Sequence, residues 1–193
     1  MKQIYNVIGL IFCIVLVIGT TQVDAQESEL MGDLMFHGVF PTGELDTRFE
    51  DTVGIGVGLT YKYNRYAGVN TSMNYLSFYR AHGLGNLAIW HWNLNGRLEL
   101  PIIDNLSVYA MGGLGLYIWN TNRAWWTDYQ SKDGANLGMN YGGGISYRIG
   151  QKMEAGLQFN RHSLELKDHK SDVQWNEFSI GMRFLLDSKF LAH

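Results

Sequence analysis

Three histidines, one serine and a set of acidic and basic side chains are the residues in this chain with the chemistry to act on something. Residues 161–163 read Arg-His-Ser, and Glu177 falls on the next extended segment. A serine, a histidine and a carboxylate hydrolyse acyl groups when the imidazole can take the hydroxyl proton and the carboxylate orients the imidazole. His162 and Ser163 are adjacent, and neighbours on a strand point to opposite faces, so this pair does not supply a base and its nucleophile. His91 and His162 share the polar side of their segments and read as members of a hydrogen-bond network rather than as metal ligands, while His37 lies in the ambiguous run MFHGVF. Lys62, Arg97, Glu99, Arg148, Glu154 and Arg183 carry both signs and also fall on the polar side of their segments, which suits a ladder of ion pairs. Trp125, Trp126 and Tyr129, in the longest connection, are candidates for recognition of a ligand or surface partner. Nothing points to a catalytic residue, a metal site or a cofactor. The runs Gly112-Gly113-Leu114-Gly115 and Gly142-Gly143-Gly144 lie within extended segments with no helix after them, so they are not phosphate loops.

The elements that must position these residues are strands. Residues 53–63 read VGIGVGLTYKY, with Val53, Ile55, Val57, Leu59, Tyr61 and Tyr63 on one parity and Gly54, Gly56, Gly58, Thr60 and Lys62 on the other. Alternation of this kind is the period of a β-strand. It recurs along the chain and predicts about eight strands, near 33–41, 52–63, 66–80, 87–100, 106–119, 136–149, 153–166 and 173–186. The first is the least regular, because MFHGVF places apolar residues on both faces. The connections alternate in length. PTGELDTRFEDT, AHGLGN, the stretch 120–135 and KDHKSD are long or moderate, while the Asn64-Arg65 turn, PIIDN and Gly150-Gln151-Lys152 are short. That order is expected of an antiparallel up-and-down barrel with its long loops at one end.

Two environments suit such a barrel. If the polar parity faced water, the chain would be a soluble, secreted, lipid-binding barrel with an apolar interior. If it faced a narrow lumen, the apolar parity would face lipid, and glycine would make room inside. Gly, Asn and Ser outnumber charges on the polar parity, unlike a soluble surface rich in Lys and Glu. Tyr and Trp gather near strand ends (Tyr61, Tyr63, Tyr66, Tyr75, Tyr79, Trp90, Trp92 and Tyr147), where membrane interfaces favour amphipathic rings. The lumen is the better reading, and the fold expected is an all-β transmembrane barrel.

Composition narrows the class further. The chain has 193 residues, 23 of them glycine, only 2 proline, and a net charge of -3. Glycine exceeds its usual share of about 7%, and no basic stripe suggests a nucleic-acid partner. The N-terminus carries Lys2, the apolar run VIGLIFCIVLVIG and a Val23-x-Ala25 ending, the pattern of a leader cleaved after Ala25. Residues 1–25 are therefore expected to be a signal peptide, and 26–193 the barrel domain. The only cysteine, Cys13, lies in that leader, so the mature domain is expected to have neither disulfides nor thiolate chemistry.

The alternation, the Pro41-Thr42-Gly43 that ends the first strand, and the closing Ser179-Ile180-Gly181-Met182-Arg183-Phe184-Leu185-Leu186 together resemble the small outer-membrane β-barrel family of Gram-negative bacteria, the OmpA/OmpX-type eight-stranded barrels. The resemblance spans about residues 34–186. It implies an integral protein of the cell outer membrane, monomeric and surrounded by lipopolysaccharide and phospholipid. It also implies delivery by the barrel-assembly machinery, which reads the last strand. The tail DSKFLAH departs from members that end on the aromatic of that signal, and no peptidoglycan-binding domain follows. The expected role is structural or surface-interacting, with a minor porin-like channel for small solutes as a variant. Some barrels of this size are lipid A deacylases, but their His and Ser stand two apart, unlike His162 and Ser163, and the Asn-rich stretch that follows their Ser is missing here.

Overall fold

The computed structural model describes residues 28–43, 45–46, 49–79, 85–123, 133–166 and 171–186. The expected leader, Trp125, Trp126, Tyr129 and the tail 187–193 lie outside the described residues.

Eight strands follow one another: β1 (Glu29–Thr42), β2 (Thr52–Lys62), β3 (Ala67–Tyr79), β4 (Gly85–Ile103), β5 (Leu106–Arg123), β6 (Asp133–Ile149), β7 (Met153–Leu166) and β8 (Ser171–Leu185). Each pairs antiparallel with the next, and β8 closes on β1. One line of partners runs Gly32, Leu59, Thr71, Leu94, Leu114, Met139, Ser163, Gln174 and re-enters β1 at Thr42, ten residues beyond its start. That stagger over eight strands, with a rise of about 3.3 Å and a spacing of about 4.8 Å, tilts the strands by about 40°.

The turns at one end are tight. Asn64 Oδ1 accepts from the backbone N–H of Tyr66 at 2.8 Å and of Ala67 at 2.9 Å, an Asx turn that reverses the chain. Gly150 opens the β6–β7 turn at φ 67°, where a Cβ would be strained. The β4–β5 hairpin runs further than the alternation predicts. Pairing persists to Ile103 across from Leu106, with an irregularity at Pro101, so only residues 104–105 turn. At the other end of the barrel, pairs extend to Gly85 with Arg123 and to Asn120 with Asp133, which shortens the longest connection to residues 124–132. A hairpin ladder needs only backbone groups, so it continues past the point where side chains stop alternating.

The two faces are unlike those of a soluble barrel. Val53 (78% exposed), Val57, Trp92, Leu94, Leu114, Leu137, Phe159, Ile180 and many other large apolar side chains point outward. A contiguous apolar surface of this extent is incompatible with water as the only solvent. Trp92 also points outward, and its Nε1–H donates to Thr71 Oγ1 at 2.6 Å, which satisfies a polar group where hydrocarbon supplies no acceptor. Gly54, Gly56 and Gly58 point inward, and a Cβ at Gly56 would overlap Asn74 Oδ1 and come within 2.7 Å of His37 Nε2. The bare parity of β2 is bare because opposing side chains fill the space.

Candidate functional site

Polar and titratable groups converge in the lumen, which is organised in three layers along the barrel. The layer nearest the short turns is ionic. Glu154 on β7 accepts from Lys62 Nζ at 2.9 Å, Arg148 Nη2 at 3.0 Å and Arg183 Nη1 at 3.4 Å. Glu99 on β4 takes Arg97 through Nε at 3.1 Å and Nη2 at 3.0 Å, and Lys62 lies 3.3 Å away. Asp33 on β1 accepts from Thr60 Oγ1 at 2.7 Å and Asn70 Nδ2 at 2.9 Å, with Arg183 Nε at 3.4 Å. Glu29, at the rim, holds Arg148 by two bonds of 2.7 and 3.1 Å. Tyr109 fills the centre: the Arg97 guanidinium lies over its ring at 3.5 Å, and its hydroxyl meets Arg183 Nη2 at 3.3 Å and Gln158 at 3.0 Å. Lys62, Arg97, Arg148 and Arg183 thus face Glu29, Asp33, Glu99 and Glu154, four charges of each sign. Buried ions persist when each is paired and hydrogen-bonded, and this set meets that condition.

The middle layer gathers three histidines around Glu177. His37 Nδ1 lies 3.1 Å from Glu177 Oε1 and 2.8 Å from Ser179 Oγ, and the Ser179 hydroxyl donates to Glu177 Oε1 at 3.3 Å. His91 Nε2 and His162 Nε2 approach Glu177 Oε2 at 3.7 and 3.6 Å. Asn93 and Asn74 hold His91 Nδ1 at 3.0 and 3.4 Å, while the Tyr117 hydroxyl holds His162 Nδ1 at 2.9 Å. The rings pack as well as bond: His162 stacks on Trp175 at 4.9 Å and 8°, and His91 stacks on Tyr117 at 5.5 Å and 15°. Among the described residues no group of His, Asp or Glu has the arrangement of a metal site.

The layer at the long-loop end is apolar. Val39, Leu76, Phe78, Leu87, Ile89, Tyr117, Leu164 and Trp175 form one buried cluster, with Trp119 and Val173 packed against it. The first long connection folds over this layer and adds Leu45 and Phe49, the latter edge-on to Phe78 at 6.2 Å. Its backbone is tied down by Phe49 N–H to Leu45 O and Glu50 N–H to Tyr79 O, both 2.9 Å.

Open space lies at the short-turn mouth, where a vestibule of about 380 Å³ is lined by Glu29, Lys62, Arg65, Glu99, Arg148 and Glu154 among others. Deeper in, a void beside Asp33, Tyr109, Gln158 and Arg183 measures about 10 Å³, the lower limit for one water.

The eight polar residues singled out from alternation therefore divide between two layers. Lys62, Arg97, Glu99, Arg148, Glu154 and Arg183 share the ionic layer, while His91 and His162 lie in the middle one. Pattern reading missed Glu29, Asp33, Tyr109, Tyr117 and Trp175 as lumen groups, and it named Glu177 and His37 only in passing. Six ladder charges with four positive and two negative signs were already short of two anions, and Asp33 and Glu29 make up that deficit. Ser163 pairs laterally with Met139 and Gln174 on the outward parity, away from His162.

Comparison with known proteins agrees with this architecture. No curated protein sequence matches the chain. Among solved structures, Neisserial surface protein A (NspA) superposes with a TM-score of 0.67 over 83% of this chain and all of its own, at 10% identity. The attachment invasion locus protein Ail of Yersinia pestis gives a TM-score of 0.60 over 83% of this chain and all of its own at 14% identity. OprG of Pseudomonas aeruginosa also gives 0.60, at 10% identity over 83% of this chain and 97% of its own. At such identities the likeness is one of fold. The family model described as the outer membrane protein beta-barrel domain matches residues 11–184, nearly the whole sequence. A closed eight-stranded barrel, apolar outside and packed with paired charges within, belongs to the outer membrane protein β-barrel domain family and lies in the bacterial outer membrane.

Proposed function

We propose that this protein is a non-enzymatic, non-conducting outer-membrane barrel whose lumen is a structural core and whose contacts with partners are made at the exposed loops and the lipid face. The filled lumen carries this reading: an ionic layer, a histidine–carboxylate layer and an apolar layer succeed one another, with side chains from opposite walls in contact. Lys62 on β2 reaches Glu154 on β7, Arg183 on β8 reaches Tyr109 on β5, and His91 on β4 faces Glu177 on β8. An eight-stranded barrel is just wide enough for side chains to fill, and charges that would line a pore are consumed here by pairing. Planar-bilayer recording tests the point. The purified protein should stay silent at high load, and discrete conductance steps would overturn a closed lumen in favour of the small-solute channel.

Two observations weigh against lipid-modifying catalysis. His162 is fully buried between Trp175 and Tyr117, and Ser163 is on the other face of β7. The Ser179, His37 and Glu177 set inside the lumen is sealed by the layers above and below it. Lipid A mass spectra from cells carrying the wild type and His162→Ala should be identical, and an acyl chain lost only with intact His162 would revive the enzyme reading. A surface role accords with the name of one fold neighbour, the attachment invasion locus protein, and with the aromatic pair Trp125-Trp126 in the longest connection. We infer in addition a monomer, inserted by the barrel-assembly machinery through its last strand and solvated by lipopolysaccharide and phospholipid.

A further inference from the structure

The middle layer of the lumen fixes its own count of protons. An ionised carboxylate only accepts, so each ring nitrogen that faces Glu177 carries hydrogen. His91 Nε2 and His162 Nε2 face Oε2, and His37 Nδ1 faces Oε1. With its hydrogen on Nε2, His91 accepts at Nδ1, so Asn93 and Asn74 turn their amide nitrogens towards it. His162 likewise accepts at Nδ1 from the Tyr117 hydroxyl. His37 differs. The Asn74 amide that gives its nitrogen to Ser72 and His91 presents Oδ1 to His37 Nε2 at 3.1 Å, and an amide oxygen also only accepts. His37 therefore carries hydrogen on both nitrogens and is an imidazolium. One carboxylate, one imidazolium and two neutral imidazoles make up the layer, and its charges cancel.

A second proton would have to sit on Nδ1 of His91 or His162, where every neighbour is a donor. Donor would then face donor, and a cation beyond the one that Glu177 balances would lie in a buried layer. The surrounding elements add no second anion among the described residues. β2 presents Gly54 and Gly56, β3 Asn74, β4 Asn93, β5 Tyr117, β6 Asn140, and β8 Trp175 and Ser179. The next charges, Asp33 and Arg183, pair with each other in the ionic layer. The neutral rings are also lightly held at Glu177. Their Nε2 atoms stand 3.7 and 3.6 Å from Oε2, beyond hydrogen-bond length, so the bond at Nδ1 and ring stacking keep them in place. The stacking partners, Tyr117 and Trp175, are members of the apolar cluster as well. What displaces them loosens both layers.

We propose that the middle layer is an acid-operated latch: one proton, on His37, keeps the lumen locked, and a second, taken from water by His91 or His162, releases Tyr117 and Trp175 and loosens the apolar layer above. A path for that proton leads from the short-turn side. The small void beside Arg183 is also lined by Ser179, whose hydroxyl meets His37. The latch extends the closed-lumen reading to acid conditions and rests on that lumen being filled. Conductance at neutral pH would overturn the closed lumen, whereas ring protonation and hydrogen exchange decide the latch, so the two readings fail separately.

The test uses the full chain in phospholipid nanodiscs with isotope-labelled histidine, followed by NMR. In neutral buffer the ring nitrogen shifts should show His37 as an imidazolium and His91 and His162 as neutral rings with hydrogen on Nε2. Glu177→Gln should abolish the imidazolium signal, which loss of a merely space-filling side chain would not do. An opened layer exposes imidazoles that take up protons below about pH 6.5, so each histidine released makes opening about tenfold more frequent per pH unit. The backbone amides of Tyr117 and Trp175 should therefore exchange faster in acid, against the slowing that acid imposes on free amides. The double variant His91→Gln, His162→Gln should lose this acceleration, and the wild-type ring shifts carry the test whether or not that variant folds. A neutral His37, an imidazolium at His91 or His162 in neutral buffer, or an imidazolium that survives Glu177→Gln would overturn the proposal. So would exchange no faster in acid. An acceleration unchanged in the double variant would also overturn it, by placing the acid response in Asp33, Glu99 or Glu154.

Discussion

The two ends of the lumen solve the same packing problem with opposite chemistry. Near the short turns, four cations and four anions interlock around Tyr109, and near the long loops, Val39, Leu76, Phe78, Leu87, Ile89 and Leu164 pack as the core of a soluble domain does, under a lid of Leu45 and Phe49. The ionic end is held by direction and pairing, so it tolerates no missing partner. The apolar end is held by volume, so it tolerates no cavity. The apolar end is the unusual one, since the interior of an outer-membrane barrel is ordinarily polar. Its strands carry the lumen towards a loop that can close over it, and closing an end with apolar side chains leaves few buried polar groups to satisfy, Trp175 Nε1 being one that has no partner among the described residues.

Substitutions at the two ends should fail for different reasons. Glu154→Ala takes one carboxylate from Lys62, Arg148 and Arg183 at once, leaving each with a single anionic partner (Glu99, Glu29 and Asp33), and loss of one partner of a buried ion network costs about 3–5 kcal/mol. Phe78→Ala leaves a cavity among Phe49, Leu76 and Trp175, also worth about 3–5 kcal/mol. Urea titration in micelles, followed by heat-modifiable migration, should place both far below wild type. If Phe78→Ala proved nearly neutral, the long-loop end would not be a core and the contrast would collapse.

A control on the outside of the wall comes next in size. Val57→Arg puts a charge on the lipid face of β2, where a cation near the midplane costs about 2–4 kcal/mol. The same measurement in phospholipid vesicles should show this penalty, whereas a neutral result would return Val57 to an aqueous surface. The smallest effect belongs to the rim. Glu29 is a quarter exposed and Arg148 a third, so Glu29→Ala should cost only about 0.2–1 kcal/mol, and less in high salt. A loss as large as that of Glu154→Ala would extend the buried network to the mouth.

Most of the wall could be read directly from residue order. Away from the long-loop end, one parity in β2, β4, β6, β7 and β8 is apolar and the other small or polar, because lipid and lumen make opposite demands on alternate residues; nearer that end the rule lapses, since Leu87, Ile89, Leu164 and Trp175 turn inward. β1 hid its register, since Met31, Met35 and Val39 face inward while Leu34, Phe36 and Phe40 face outward. When both faces are apolar, a period of two leaves no trace, and Asp33 and His37 were lost with it. Tyr109, Tyr117 and Trp175 escaped for a related reason. Aromatic residues suit a membrane interface, a lipid face and a crowded lumen alike, and composition does not choose among them.

Residue order by itself determined that this chain forms a barrel of about eight strands, which parity faces lipid in most of them, and which end carries the long connections. Those properties are set by local period and turn chemistry, and they need no knowledge of what meets across the lumen. Tertiary structure alone decided which charges meet, that Glu177 gathers three histidines from three strands, and that one end of the lumen is apolar. These depend on the ten-residue stagger of the closed sheet. That stagger brings residues from β1, β4, β7 and β8 to one height, and no pattern within a single strand contains it.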